Sequence, residues 1–164
     1  MSLLMALALS IGVLIAAWTF IALGSLALPV WAGIIAWGAF FAAGGKGDGL
    51  LKTIASTLSG VFWAFIALTL NARFGGNAAV LPILVGAAAF VMVAQSKVSL
   101  LSFIPGSFLG AATAVGVVVG SNSTWSKVII ALVAGAVFGW LSERLAGVLA
   151  GSSTAAAAER ARAA

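Results

Sequence analysis

Apolar residues fall into six long blocks, separated by short runs of turn-forming or charged residues. The first block covers residues 3–23 and is closed by Gly24-Ser25 and Pro29. The second covers residues 29–43 and runs into Gly44-Gly45-Lys46-Gly47-Asp48-Gly49, the clearest loop in the chain, because glycine removes the steric bar to turn conformations. The third, residues 50–70, stops at Asn71 through Asn77. The fourth, residues 78–94, ends at Gln95-Ser96-Lys97. The fifth covers residues 98–119 and the sixth residues 125–150. A helix needs about 20 residues to cross a hydrocarbon core of ~30 Å. The blocks therefore predict six transmembrane helices, the second of them short. From Gly151 on, the Ala-rich tail with Arg160 and Arg162 has no apolar stripe, and residues 151–164 are expected to be disordered or a frayed helix. Residues 1–150 read as one transmembrane domain.

Composition agrees. Apolar residues make up 63% of the 164 positions and charged residues 7%, against roughly 25% charged in soluble domains. A chain so poor in polar groups cannot cover its surface for water, so lipid is the solvent for most of it. The N-terminus lacks a basic segment ahead of its apolar run, which is also longer than the ~7–15 residues of a signal-peptide core, so it reads as a retained first helix. Placing both termini on the side of the 43–49 and 95–97 loops gathers Lys46, Lys52, Lys97, Arg144, Arg160 and Arg162 there and leaves Arg73 and Lys127 opposite. The positive-inside rule then puts both termini in the cytoplasm.

The order of the blocks contains a repeat. A shift of 75 positions lays the third block on the sixth: Lys52 falls on Lys127, and Ser56, Gly60 and Ala64 fall on Ala131, Gly135 and Gly139. Each trio puts one small residue per turn on a helix face, which lets backbones approach closely. Pro29 lands within a residue of Pro105. The halves are residues 1–75 and 76–150. Three helices per half is an odd number, so the halves insert with opposite orientation, giving an all-α membrane protein with an inverted 3+3 helix repeat.

The chemistry available is narrow. The chain has no Cys and no His, and Asp48, Glu143 and Glu159 are its only carboxylates. Zinc sites, Ser-His-Asp triads and carboxylate pairs lack their raw material, so neither an enzyme nor a cofactor is expected. The net charge of +5 comes from scattered single residues rather than a patch, which argues against nucleic acid. No charge falls near mid-bilayer, where one costs about 2.5–3.5 kcal/mol and is usually functional. Any cargo is therefore a small neutral or weakly polar solute.

Polar neutral residues within the blocks are Thr19, Thr57, Ser59, Thr69, Ser99, Ser102, Ser107 and Thr113. Most hydroxyls of this kind bond back to their own helix. Ser102 and Ser107 flank Pro105, whose missing N–H frees carbonyls one turn earlier. The three together are either a polar spot on a solute path or a plain packing kink. Trp37 and Trp63, deeper than the interfacial Trp31 and Trp125, either line a constriction or belong to the core. Gly106, Gly110, Gly135 and Gly139, with Gly60, read as helix-packing positions, within the bundle or between copies of the chain.

Trp31-Ala-Gly33, Ser59-Gly60-Val-Phe-Trp63-Ala64 and, above all, Leu100-Leu-Ser-Phe-Ile-Pro-Gly-Ser-Phe-Leu-Gly110 resemble the bacterial inner-membrane family called domain of unknown function 1097, over roughly residues 5–148. The resemblance implies a membrane fold and a bacterial inner-membrane location. It implies no activity. The residues favour a channel or facilitator for a small neutral or weakly polar solute; the alternative is a non-transporting membrane scaffold or accessory subunit.

Overall fold

The computed structural model describes residues 2–163, with side chains through Gly151. It contains six α-helices and no strand among the described residues: α1 (Leu3–Leu23), α2 (Val30–Ala42), α3 (Lys46–Arg73), α4 (Val80–Ala94), α5 (Ile104–Val118) and α6 (Trp125–Ala163). The expectation for residues 151–164 falls at the end of α6, where the side chains lie outside the described residues.

Local sequence sets the helix ends. Ser2 caps α1 by accepting the Met5 N–H at 3.3 Å. Gly44 and Gly45, at φ 97° and 66°, turn the chain between α2 and α3 within three residues. Gly75 and Gly76, at φ 74° and 71°, do the same before α4, where the Asn77 side chain accepts the Ala79 N–H at 2.8 Å.

The fifth apolar block departs from the expected single helix over 98–119. A single 3₁₀ turn, Gln95–Lys97, precedes it, the block opens with a second, Ser99–Leu101, and the α-helix begins only at Ile104. Pro105 sits in the first turn of α5. Its fixed φ suits that place, and its missing N–H would have no partner inside the helix anyway. The mid-helix kink with freed carbonyls expected around Pro105 is therefore absent; the proline starts the helix instead.

Four stretches are long and apolar enough to cross a bilayer: Leu3–Leu23, Lys46–Arg73, Val80–Lys97 and Trp125–Gly151. The other two helices, α2 with 13 residues and α5 with 15, rise about 20 and 22 Å. These short helices are central. α2 buries Ala32, Gly33, Ala36, Trp37, Ala39 and Phe40, and α5 buries Gly106, Ser107, Gly110, Thr113, Ala114 and Val117. Around them, α2 packs chiefly on α6 and α5 chiefly on α3, while α1 flanks α6 and α4 flanks α3.

Glycine sets the closeness of these pairings. A Cβ on Gly60 would overlap the Ser107 carbonyl oxygen, and one on Gly110 the carbonyl of Thr57. A Cβ on Gly135 would overlap the Gly33 carbonyl, and one on Gly139 would lie 2.9 Å from the Phe40 ring. One on Gly106 would lie 2.9 Å from Ser56 Cβ. Contacts advance together along both chains in α3/α5 (Ser56 with Gly106, Gly60 with Ala111) and in α2/α6 (Gly33 with Gly135, Trp37 with Gly139), so both pairs are parallel. They run in opposite directions in α1/α6, where Ser10 meets Ser142 and Trp18 meets Phe138. The centre is filled by Ala36, Ala114, Val117, Val128, Ala131, Leu132 and Ala136, none of them exposed. These small side chains close the centre of the bundle, and a hollow of 330 Å³ between α3 and α6, walled by Leu58, Val61, Phe62, Phe65, Trp125 and Ile129, lies beside it.

Candidate functional site

Two polar nodes interrupt the apolar interior, one in each set of three packed helices. The first joins α3, α4 and α5. Ser59 and Trp63, four residues apart on one face of α3, both donate to Oε1 of Gln95, at 2.8 and 3.1 Å. Gln95 Nε2 then donates to Ser107 Oγ at 3.1 Å. Gln95 stands where α4 passes into the 3₁₀ turns, which lets its amide reach back across the helix ends. A primary amide has two donors and a two-fold acceptor, so this one residue ties three helices together without leaving its carbonyl unmet.

The second node joins α1, α2 and α6. Trp37 Nε1 donates to Ser142 Oγ at 3.1 Å, and Ser142 Oγ donates to the Gly139 carbonyl at 2.7 Å. The Ser10 hydroxyl lies 2.9 Å from both the Ser142 and Leu7 carbonyls.

The residues expected along one solute path are therefore divided. Ser107 and Trp63 meet through Gln95, whereas Trp37 belongs to the other node. Ser102 and Pro105 are exposed on the outside of the bundle. Gln95 and Ser142 carry the nodes and were not singled out from the sequence. The available signal for Gln95 was its chemistry: it is the chain's single glutamine, at the end of an apolar run. Ser142 has no such signal, because its role depends on which helix faces it.

Three further hydroxyls, Thr53 and Ser56 on α3 and Thr113 on α5, are buried with no hydrogen-bond partner. An unmet buried hydroxyl costs about 1–3 kcal/mol. Thr57, by contrast, bonds back to the Thr53 carbonyl at 2.8 Å, and Thr19 to that of Ile15 at 2.8 Å.

Charged residues cluster at the α2–α3 turn. Glu143 of α6 accepts the Lys46 N–H at 2.7 Å and so caps α3 from outside its own sequence. Asp48 and Lys52 pair one turn apart at 2.7 Å. Arg144 lies over the Trp140 ring at 5.1 Å.

The largest of the described cavities is lateral rather than central. A groove of 570 Å³ lies between α3, α4 and α5, walled by Ala64, Ala67, Ala88, Met92, Phe108 and Ala112 among others, every one of its lining residues apolar. It exists because α4 is thinly attached: Met92 is its one buried residue. A second hollow of 180 Å³ adjoins it, sharing Ala67 and Ala88 and reaching Trp63.

An apolar six-helix bundle, with four helices able to cross a bilayer and its irregular backbone confined to the ends, defines a polytopic helical membrane protein. Within that class, residues 8–147 match the family described as protein of unknown function (DUF1097), and the chain belongs to this family. Inner membrane protein YcdZ of Escherichia coli strain K12 is 36% identical over 142 residues, covering 85% of this chain and 83% of that protein. Inner membrane protein YcdZ of Salmonella typhimurium strain LT2 is 37% identical over 142 residues, 85% of each chain. The uncharacterized protein YahC of E. coli K12 is 35% identical over 116 residues, 68% of each. No solved structure matches.

Proposed function

We propose that this chain is a bacterial inner-membrane protein with an inverted 3+3 helix repeat, acting as a non-transporting scaffold or accessory subunit. The repeat reading draws support from the crossings. Gly60 on α3 backs onto Ser107 of α5, and Gly135 on α6 backs onto Gly33 of α2. Advancing the α2–α6 contact by 75 positions along the ring of helices reproduces the α3–α5 contact to within one residue. The parallel α2/α6 and α3/α5 pairs fit six alternating crossings, with α2 and α5 spanning where their longer neighbours enclose them. The inner-membrane assignment rests on the names of the relatives and on the apolar helices.

The observation that carries the scaffold reading is the filled seam between α2, α3, α5 and α6, where a repeat-interface path would run. The facilitator reading keeps one observation in its favour. The Gln95 node and the unmet hydroxyls of Thr53, Ser56 and Thr113 put polar groups inside the bundle beside α5, where a neutral polar solute would satisfy them. Flux measurements on the purified protein in liposomes separate the two. With a panel of small neutral solutes such as urea, glycerol and ammonia, rates equal to protein-free vesicles are expected. A rate increase for any solute that Ser107→Phe abolishes while the protein stays folded replaces the scaffold reading with the facilitator.

A further inference from the structure

The groove under α4 runs from Met92 and Phe108 at one end to Val85 and Gly116 at the other, about 12 Å of rise along α5. Val85, Ala112 and Val115 on its rim are exposed, so it opens sideways to the bilayer. Its wall on α3 is the row Ala64, Ala67 and Leu68. Asn71, in the last turn of α3, continues that row and stands at the head of the groove. Its Oδ1 is buried and has no hydrogen-bond partner. A hydroxyl can donate to a carbonyl of its own helix, but an amide oxygen only accepts. Asn71 Oδ1 therefore needs a donor from elsewhere. Arg73, at the same level, is exposed and forms no ion pair among the described residues.

We propose that the groove holds one acyl chain of a phosphatidylethanolamine molecule, whose ammonium group donates to Asn71 Oδ1. The occupant follows from both ends of the site. Along the trough, apolar walls open to acyl chains, and filling a void restores the contacts its lining lacks. At the head, the acceptor sits where α3 passes into the polar Asn71–Asn77 connection, at the depth of lipid headgroups. A lone water would find one acceptor among apolar neighbours, fewer than the about 2–4 partners an ordered water keeps. An ammonium brings three N–H donors and a charge, which makes its hydrogen bonds roughly twice as strong as neutral ones. The trimethylated ammonium of phosphatidylcholine has no donor at all. Arg73 adds a positive charge at the same level, complementary to the lipid phosphate. The site requires only that α3 spans the bilayer, whether the chain is a scaffold or a facilitator and whether or not its halves repeat.

The full chain is reconstituted in nanodiscs of equal parts phosphatidylethanolamine and phosphatidylcholine with matched acyl chains. It is then transferred to detergent, and the lipid it retains is counted by native mass spectrometry. One phosphatidylethanolamine per chain is expected, preferred over phosphatidylcholine about tenfold. Ala112→Phe and Val115→Phe fill the groove from α5 and remove the retained lipid, with circular dichroism checking that both stay folded. Asn71→Leu abolishes the preference, and Asn71→Asp, which keeps an acceptor, preserves it. A wild type that retains no lipid, or retains both lipids alike, overturns the proposal. So does a preference that survives Asn71→Leu or is lost in Asn71→Asp, and so does lipid that survives both filled variants. Phosphatidylglycerol retained as well as phosphatidylethanolamine would show a hydroxyl donor and overturn the ammonium assignment. Should Asn71→Leu fail to fold, Asn71→Asp and the filled variants decide alone.

Discussion

Gly60→Ala adds a single methyl group at the α3–α5 crossing, and its effect follows from what that group meets. The Cβ would overlap the Ser107 carbonyl oxygen and lie 2.8 Å from the Ala111 nitrogen, both backbone atoms. Backbone cannot swing aside as a flexible side chain can, so α3 and α5 separate, and the Ser107 hydroxyl is drawn away from Gln95 as well. Overpacking of this sort costs about 1–3 kcal/mol, and a backbone obstruction belongs near the upper end. Replacing glycine in a helix interior returns roughly 0.5–1 kcal/mol of helix propensity, which leaves a net loss of about 2–2.5 kcal/mol. At about 2–4 °C per kcal/mol for a chain of this size, the melting midpoint falls by several degrees. Gly86→Ala is the matched control: Gly86 also lies inside a helix, α4, but a Cβ there meets nothing within 4 Å. It receives the propensity gain alone, and its midpoint holds or rises. Circular dichroism melts of both variants in one mild detergent read the contrast. If the two variants shift in the same direction by similar amounts, the glycine crossings do not set the helix separation and the reasoning fails.

Gly135→Ala is expected to match Gly60→Ala in sign and size, since its Cβ meets the Gly33 carbonyl; a neutral melt would deny the two crossings their equivalence. Topology is read by single cysteines in a chain that has none: Asn122→Cys labels from the periplasm and Gly47→Cys does not, and the reverse pattern inverts the orientation. Gln95→Leu removes the partner of Ser59, Trp63 and Ser107, and a loss of about 1–3 kcal/mol in detergent unfolding is expected, with an unchanged midpoint refuting the node as a tie. Glu143→Ala uncaps α3 and lowers stability by about 0.5–2 kcal/mol, whereas Glu143→Gln keeps an acceptor and loses less; equal losses would show that the cap is not what Glu143 contributes.

Much of this molecule is decided by its sequence alone. Lipid solvation demands helices, so the apolar blocks and their boundaries mark α1, α2, α4 and the start of α6 within a few residues, whereas α3 already begins at Lys46, inside the glycine-rich stretch expected as loop, α5 begins only at Ile104, and α6 continues to Ala163. The small-residue rows at Gly60 and Gly135 are also local facts, since one small residue per turn makes a face whatever lies opposite. What only the tertiary structure decided is which faces meet. Pro105 is compatible with either a kink or a helix start, and the break at Ser102-Phe103, set by packing across the 3₁₀ turns, selects the start. Trp37 and Trp63 look alike in sequence, yet they hang on separate nodes because α2 packs on α6 and α3 on α4. Gln95 reads as a loop marker until α3 and α5 bring Trp63 and Ser107 to its amide. The groove under α4 is less legible still, because a void is a property of three helices at once. Periodicity reports which residues share a face, while the partner of that face depends on the summed packing of all six helices.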